Sequence, residues 1–392
     1  MQASRPVRVL ELRSVRGTGG GPEKTILLSA AMADPEGAQV TVCYLRDQRD
    51  EVFKIHERAA GVPIDYVEVR ERHSFDLNVW GELKKLIAER RIDLLHAHDY
   101  KTNLLALLLS KATGARAIST VHGWTGHSPR ERYFYYPADK RVLARFPRLI
   151  AVSSDIAREL VKHGADPARV TTVLNAIDPR QFFRDPARVT PMRASLGIAA
   201  DHIAIGAVGR LEPQKRFDLL LEAFAVVHAR KPEARLIIAG DGSLNKPLTD
   251  QRNALGLQDC VIMTGHVTDV IGLHHAFDLF VQSSDYEGTP NSVLEAMAME
   301  TPIVATEAGG TAELVHDGEH GRIIPIGKVD RLISGVEAAL ADPAATRTMA
   351  DRARVRVQGD LSFEARVRRV EGIYAEVMGV TGPSSALKAR HA

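Results

Sequence analysis

The chemistry of this 392-residue chain concentrates in its second half. Gly209-Arg210 follows the apolar run 203–208, and Lys215 stands five residues after Arg210 in the same strand-to-helix loop. A guanidinium fork and a mobile ammonium at that spacing suit a diphosphate clamp, with solvated surface charge as the alternative. Glu287 lies in the loop 283–290 after the apolar run 279–282, and Glu295 falls about one turn into the next helix. Asn291 or Ser292 can cap that helix, so its unpaired amides, with the backbone of Gly288, Thr289 and Pro290, attract anions and hydroxyls. Gly309-Gly310-Thr311-Ala312-Glu313 forms a third glycine-hinged loop after the run 303–305. Each carboxylate has an ordinary explanation singly, in the helix dipole or in solvation; three such loops in one segment point together to an anionic, hydroxyl-bearing ligand.

The first half carries three motifs. Gly17-Thr18-Gly19-Gly20-Gly21-Pro22-Glu23-Lys24-Thr25 follows the first strand pattern but fits neither a Walker loop, which needs glycine at Thr18 and Glu23, nor a dinucleotide fingerprint, which needs a small residue at Pro22. What remains is a glycine turn that lets backbone approach a ligand at a helix start. His96-Ala97-His98-Asp99 has metal-triplet spacing but no further ligand nearby in sequence, so polar strand-end residues are the preferred reading. His122-Gly123-Trp124 ends another strand pattern, where a neutral imidazole can donate to or accept from a hydroxyl, or simply pack beside the indole.

These loops need elements to hold them. Short β-branched runs at 7–12, 40–45, 64–69, 92–96, 117–121, 149–153 and 170–174 alternate with helical patterns such as 23–33, 77–90, 104–113 and 155–163. The rhythm breaks at the proline-bearing 181–200 and restarts with strands at 203–208, 236–239, 261–264, 279–282, 303–305 and 322–324. This predicts an α/β chain of two doubly wound, Rossmann-like domains: 1–180, a linker 181–200, and 201–361. A final helix at about 362–380 must dock somewhere, and 381–392 is a disordered tail. Fifty-one Lys and Arg against 49 Asp and Glu leave a net charge of +2, which excludes general nucleic-acid binding. Cys43 and Cys260 stand alone, excluding a disulfide scaffold and a structural zinc site. No apolar run is long enough to span a bilayer, and the polar start is no signal peptide, so a cytoplasmic protein is expected.

Gly209-Arg210 with Lys215, Gly240-Asp241-Gly242, Glu287 and Glu295 in Glu-Gly-Thr-Pro-Asn-Ser-Val-Leu-Glu-Ala-Met-Ala, and Gly309-Gly310 with Glu313 together resemble the retaining nucleotide-sugar glycosyltransferases of family 4, which have the GT-B fold. The first half agrees through Gly19 to Gly21, His122-Gly123 and Asn175-Ala176-Ile177-Asp178, with Ala176 a small departure from the usual glycine. The resemblance implies that Arg210 and Lys215 bind the donor diphosphate without a metal, that Glu295 holds the ribose hydroxyls, and that Glu287 holds the donor sugar. Backbone from Gly288 to Ser292 assists; Gly265, His266 and Val267 hold the base; Gly19 and Gly20 approach the diphosphate; His122 contacts the sugar or reacting region; the final helix packs back on the first domain. No cofactor is implied, because the nucleotide sugar is a substrate. The acceptor is a glycan or a lipid-linked molecule, entering over loops near 123–136 and 66–75. Arg130 to Arg148, with Tyr133, Phe134, Tyr135 and Tyr136, suits a membrane-lipid acceptor at the inner face of the cell membrane, or else a packed aromatic helix. A nucleotide-sugar epimerase, a sugar phosphorylase and a non-catalytic nucleotide-sugar-binding protein remain the rival readings. The sequence leaves oligomeric state open.

Overall fold

A computed structural model describes residues 5–15, 17, 19–73, 76–124 and 130–380. The expected tail 381–392 lies outside them. The chain forms two units, the first taking residues up to Asn175 and from Phe363 onward, the second Ala176–Ser362. Among the described residues, no helix is long and apolar enough to cross a membrane.

Unit 1 holds β1 (Val7–Ser14), β2 (Ala38–Asp47), β3 (Asp65–Glu71), β4 (Leu94–Ala97), β5 (Arg116–Val121), β6 (Leu149–Ala151) and β7 (Val170–Thr172). They form one parallel sheet in the order β3-β2-β1-β4-β5-β6-β7. All seven strand patterns are realised, because each is followed by enough chain to cross over a sheet face. Side chains alternate between faces, so Val7, Val9 and Glu11 share one face with Leu94 and His96. That face is apolar at the amino ends of the strands and polar at their carboxyl ends. The terminal helix Phe363–Met378 covers it, burying Val370, Ile373 and Tyr374 against Val7, Val9, Leu94, Ile118 and Ile150. The other face packs against the crossover helices Leu77–Arg90 and Tyr100–Thr113.

Unit 2 holds β8 (Ile203–Val208), β9 (Ala234–Ala239), β10 (Val261–Gly265), β11 (Leu279–Gln282), β12 (Ile303–Thr306) and β13 (Arg322–Ile324), in the order β10-β9-β8-β11-β12-β13. The segment expected as a linker, 181–200, instead belongs to unit 2 and carries the helix Pro186–Ser195. Pro186 sits in its first turn, where a missing N–H costs nothing, and the Asp185 side chain accepts from Ala187 N at 2.9 Å. Arg188 and Arg193 then fix the helix to unit 2 through Asp269 (2.6 Å) and Asp278 (2.9 Å).

The strand-end loops of unit 2 interlock through glycine. Gly309 has φ +53°, and a Cβ there would lie 1.8 Å from the carbonyl oxygen of Glu287; Gly310 N donates to Gly288 O at 2.8 Å. Gly240 has φ +145°, and a Cβ would meet the Gly209 carbonyl oxygen at 1.8 Å. The loops that bear Arg210 and Glu287 are thus each seated on a backbone that admits no side chain. Gly309→Ala is expected to destabilise the protein by at least about 2 kcal/mol, read as a lowered urea midpoint. An unchanged midpoint would show that the loop yields freely.

Candidate functional site

Each sheet has one place where strand order reverses, between β1 and β4 and between β8 and β11. Loops leaving such neighbours diverge and leave an open crevice at the carboxyl ends, where α/β folds receive ligands. The predicted chemistry falls on these two places.

In unit 2, Gly209 to Lys215 follows β8 and residues 283–290 follow β11. Lys215 Nζ lies 2.6 Å from Glu287 Oε1, and both residues are half-buried. Ser284 Oγ donates to the same oxygen at 2.7 Å, while Ser283 Oγ donates to Lys215 O at 2.7 Å. Two residues expected to act on different parts of a ligand therefore form one ion pair across the switch point. Arg216, which sequence reasoning missed, braces it: with φ +50° it reaches Asp285 at 2.9 Å and Asp218 at 3.1 Å, and these carboxylates push its guanidinium pKa up. Arg210 is exposed and has no ion-pair partner among the described residues, leaving its fork open. The helix Asn291–Ala298 begins beside them, with Glu295 buried one turn in. Its N-cap is Pro290 and there is no side-chain cap, so Asn291 and Ser292 are first-turn residues rather than the cap expected of them. The helix tip therefore retains amide donors for a ligand. Gly265 ends β10 and accepts from Gly240 N at 2.9 Å; His266 beside it is exposed and Val267 half-buried.

In unit 1, the Glu23 carboxylate turns back to accept from Gly20 N and, at 2.9 Å, from Arg13 Nε. Burial raises the Glu23 pKa, but Arg13 and the backbone donors outweigh it and hold the carboxyl below its usual range. The amide of Gly20, expected to meet an anion, is thus engaged inside the protein. Asp99 caps the helix Tyr100–Thr113, accepting from Lys101 N (2.9 Å) and Thr102 N (3.1 Å), which accounts for it without a ligand.

His122 directly follows β5 and joins a buried polar group that the sequence did not reveal. Its Nε2 lies 3.2 Å from His98 Nδ1, and His98 Nε2 is hydrogen-bonded to Glu11 Oε2. Tyr374 of the terminal helix bonds Glu11 Oε1 at 2.9 Å and His96 Nδ1 at 2.8 Å, and His96 Nε2 meets Thr120 Oγ1 at 2.7 Å. Glu11, 3% exposed, supplies the carboxylate near His96 and His98 that sequence spacing lacked, and their ligand-capable atoms lie within 4.8 Å of one another. The signal was an acid inside the apolar strand 7–12; its partner became visible only through the β1–β4 register, which sets Glu11 beside His96. Burial raises the Glu11 pKa, but His96 and His98 hold it well below the carboxylate range. Burial pushes His98 down to about 4 and His122 well below its ordinary value, so both rings are neutral at neutral pH. Beyond His122, Trp124 Nε1 donates to Asp139 at 3.0 Å, and Asn103 Nδ2 donates to the other oxygen at 2.8 Å; burial raises the Asp139 pKa to about 6.

Residues 19–181 match the family model described as Glycosyltransferase Family 4, and residues 189–356 match that of Glycosyl transferases group 1. The chain belongs to the GT-B glycosyltransferases. It is 23% identical over 311 residues to the UDP-Gal:alpha-D-GlcNAc-diphosphoundecaprenol alpha-1,3-galactosyltransferase of Escherichia coli, covering 77% of this chain and 80% of that one. To the N-acetyl-alpha-D-glucosaminyl L-malate synthase of Bacillus anthracis it is 25% identical over 337 residues, covering 81% and 83%. Among solved structures, Anabaena HepE in complex with UDP and glucose shares the fold, with a TM-score of 0.82 at 21% identity over 94% of this chain and 100% of that one.

Because His98 titrates lower folded than free, its contribution to stability is complete above about pH 6.5 and is lost as pH falls toward 4. Glu11 shifts the same way. Urea unfolding is expected to weaken across this window by up to about 3 kcal/mol from His98, and His98→Phe should flatten the dependence. An equally steep fall in the variant would place the titration elsewhere.

Proposed function

We propose that this glycosyltransferase moves a sugar from a nucleotide-diphosphate sugar to a glycan or lipid-linked acceptor, with retention and without a metal, in the synthesis of a bacterial cell-surface polysaccharide or glycolipid. The observation that carries the reading is the pairing of Lys215 with Glu287, beside open Arg210 and an uncapped helix tip. Arg210 and Lys215 receive the diphosphate and stabilise charge on the leaving nucleotide, the task a metal would otherwise perform. Glu287 accepts from donor-sugar hydroxyls while keeping Lys215 oriented, and Glu295 accepts from the ribose. Amides of Gly288, Thr289, Asn291 and Ser292 add donors, with Pro290 setting the chain direction. Gly265, His266 and Val267 take the base. His122 meets a substrate hydroxyl, and the turn at Gly19 and Gly20 approaches the donor through its shape, since the Gly20 amide is already bonded to Glu23. Retention is what the family resemblance implies, by front-face departure of the diphosphate; Glu287 and Glu295 share one loop and helix, unlike a glycosidase pair placed on either side of a bond.

Localisation at the inner membrane face is part of the same proposal. Tyr100, Leu104 and Leu108 recur at a spacing of four on one exposed helix face, and Tyr100 stacks on Tyr135 at 5.3 Å, next to exposed Tyr133 and Phe134. Exposed Arg130, Arg141 and Arg145 flank these aromatics. Aromatic and aliphatic groups with surrounding cations suit the headgroup boundary of an anionic bilayer.

Thermal stabilisation by a panel of uridine, guanosine and adenosine diphosphate sugars is expected to reveal the donor. With it, Arg210→Ala should cut turnover by about a hundredfold without altering stability, because the side chain is exposed and unpaired. Near-normal rates would defeat the clamp, and a chelator should leave the wild-type rate unchanged. Cosedimentation with phosphatidylglycerol vesicles should fall sharply in a Tyr133→Ser/Phe134→Ser variant, whereas neutral phosphatidylcholine vesicles should retain little of either protein. Equal binding by both proteins would remove the membrane assignment.

A further inference from the structure

The buried group around His122 has a single consistent hydrogen-bond polarity. An ionised carboxylate only accepts, so the Tyr374 hydroxyl must donate to Glu11 Oε1, and its oxygen then accepts from His96 Nδ1. His96 therefore donates through Nδ1–H, which also lies 3.2 Å from Glu11 Oε1, while its Nε2 meets Thr120 Oγ1. On the other carboxylate oxygen, His98 must donate through Nε2–H. Being neutral, His98 is bare at Nδ1 and takes the proton of His122 Nε2–H at 3.2 Å. His122 is then left with an unprotonated Nδ1. That atom is buried from solvent and has no partner among the described residues. A buried acceptor without a donor is costly unless something arrives to fill it.

We propose that Glu11 and His98 are positioning residues that lock His122 in its Nε2–H tautomer, so that the Nδ1 lone pair is presented to a substrate hydroxyl. The inference rests on the reading that His122 meets substrate and adds what prepares it to do so. Glu11 acts as the proton-free anchor, and the terminal helix, through Tyr374, orients that anchor. A substrate group that donates a hydrogen bond is accepted at His122, and an analogue lacking that hydroxyl leaves the lone pair unmatched. The charged and titratable groups facing the relay are Arg13, His96, Tyr374 and Arg366; Arg13 and Arg366 add to the burial that keeps His122 from protonating.

The test reads tautomers directly. In the full chain labelled with 15N-histidine, two-bond proton–nitrogen spectra near pH 7.5 are expected to show His122 protonated at Nε2 and bare at Nδ1, with His122→Gln identifying its signals. His98→Phe should leave His122 in mixed tautomers and lower kcat about tenfold, the scale of one misdirected hydrogen bond. His98→Asn, whose Oδ1 takes the place of His98 Nδ1, should restore the tautomer and most of the rate. A wild-type His122 protonated at Nδ1, or a His98→Phe variant with its tautomer unchanged, overturns the relay even where that variant folds poorly, since the first result needs only the native chain. Stoichiometric zinc binding that shifts His96 and His98 together would also overturn it, assigning the cluster to a cation instead. Tautomers as expected with full turnover in both variants would leave the relay standing and overturn the contact between His122 and substrate.

Discussion

Parallel pairing at the point of strand reversal is the constraint on which this molecule depends. Where β1 meets β4 and β8 meets β11, the connections run to opposite sides of their neighbours, so the following loops separate instead of covering one another. Strand ends exposed in this way present backbone donors and short polar side chains to a ligand. In unit 2 the crevice is bridged by the Lys215–Glu287 pair; in unit 1 the same position holds the Arg13–Glu23 pair and the histidine relay.

Buried charge governs how rigid these places are. Removing a cation or a carboxylate from water is costly unless partners replace the solvent, and each buried acid here has several. Glu23 has Arg13 and the Gly20 amide; Glu287 has Lys215 and Ser284; Glu11 has Tyr374 and His98. Acids bonded in this way fix rotamers around them, which is what a site needs if its donors are to meet a transition state without rearranging. Arg210, left out of these networks, is the group free to follow a ligand.

All thirteen strands among the described residues were legible in the sequence, since each is a short apolar run with turn chemistry at its end, a pattern set by local periodicity. That Arg210 and Lys215 follow β8, that Glu287 follows β11 and that Glu295 lies about one turn into the next helix was legible for the same reason, since each placement is set by neighbours in sequence. The helix Pro186–Ser195 was not, because three prolines nearby read as breakers while Pro186 occupies a first turn and Arg188 and Arg193 bind partners roughly 80 residues away. Nor was Pro290 readable as the N-cap in place of Asn291, since only the backbone path shows where helical dihedrals begin.

The amino-acid sequence by itself determined two doubly wound units, their strand order of appearance and the loop chemistry that marks a glycosyltransferase, because period, turn residues and adjacent motifs act within a few residues of themselves. Only the tertiary structure decided that Lys215 and Glu287 are one ion pair, that the Gly20 amide is taken by Glu23, and that Glu11, His98, His122 and Tyr374 share one chain of hydrogen bonds. Those facts depend on strand register and on a helix returning from the far end of the chain, and hydrogen bonds between such distant residues leave no periodic trace in the order of amino acids.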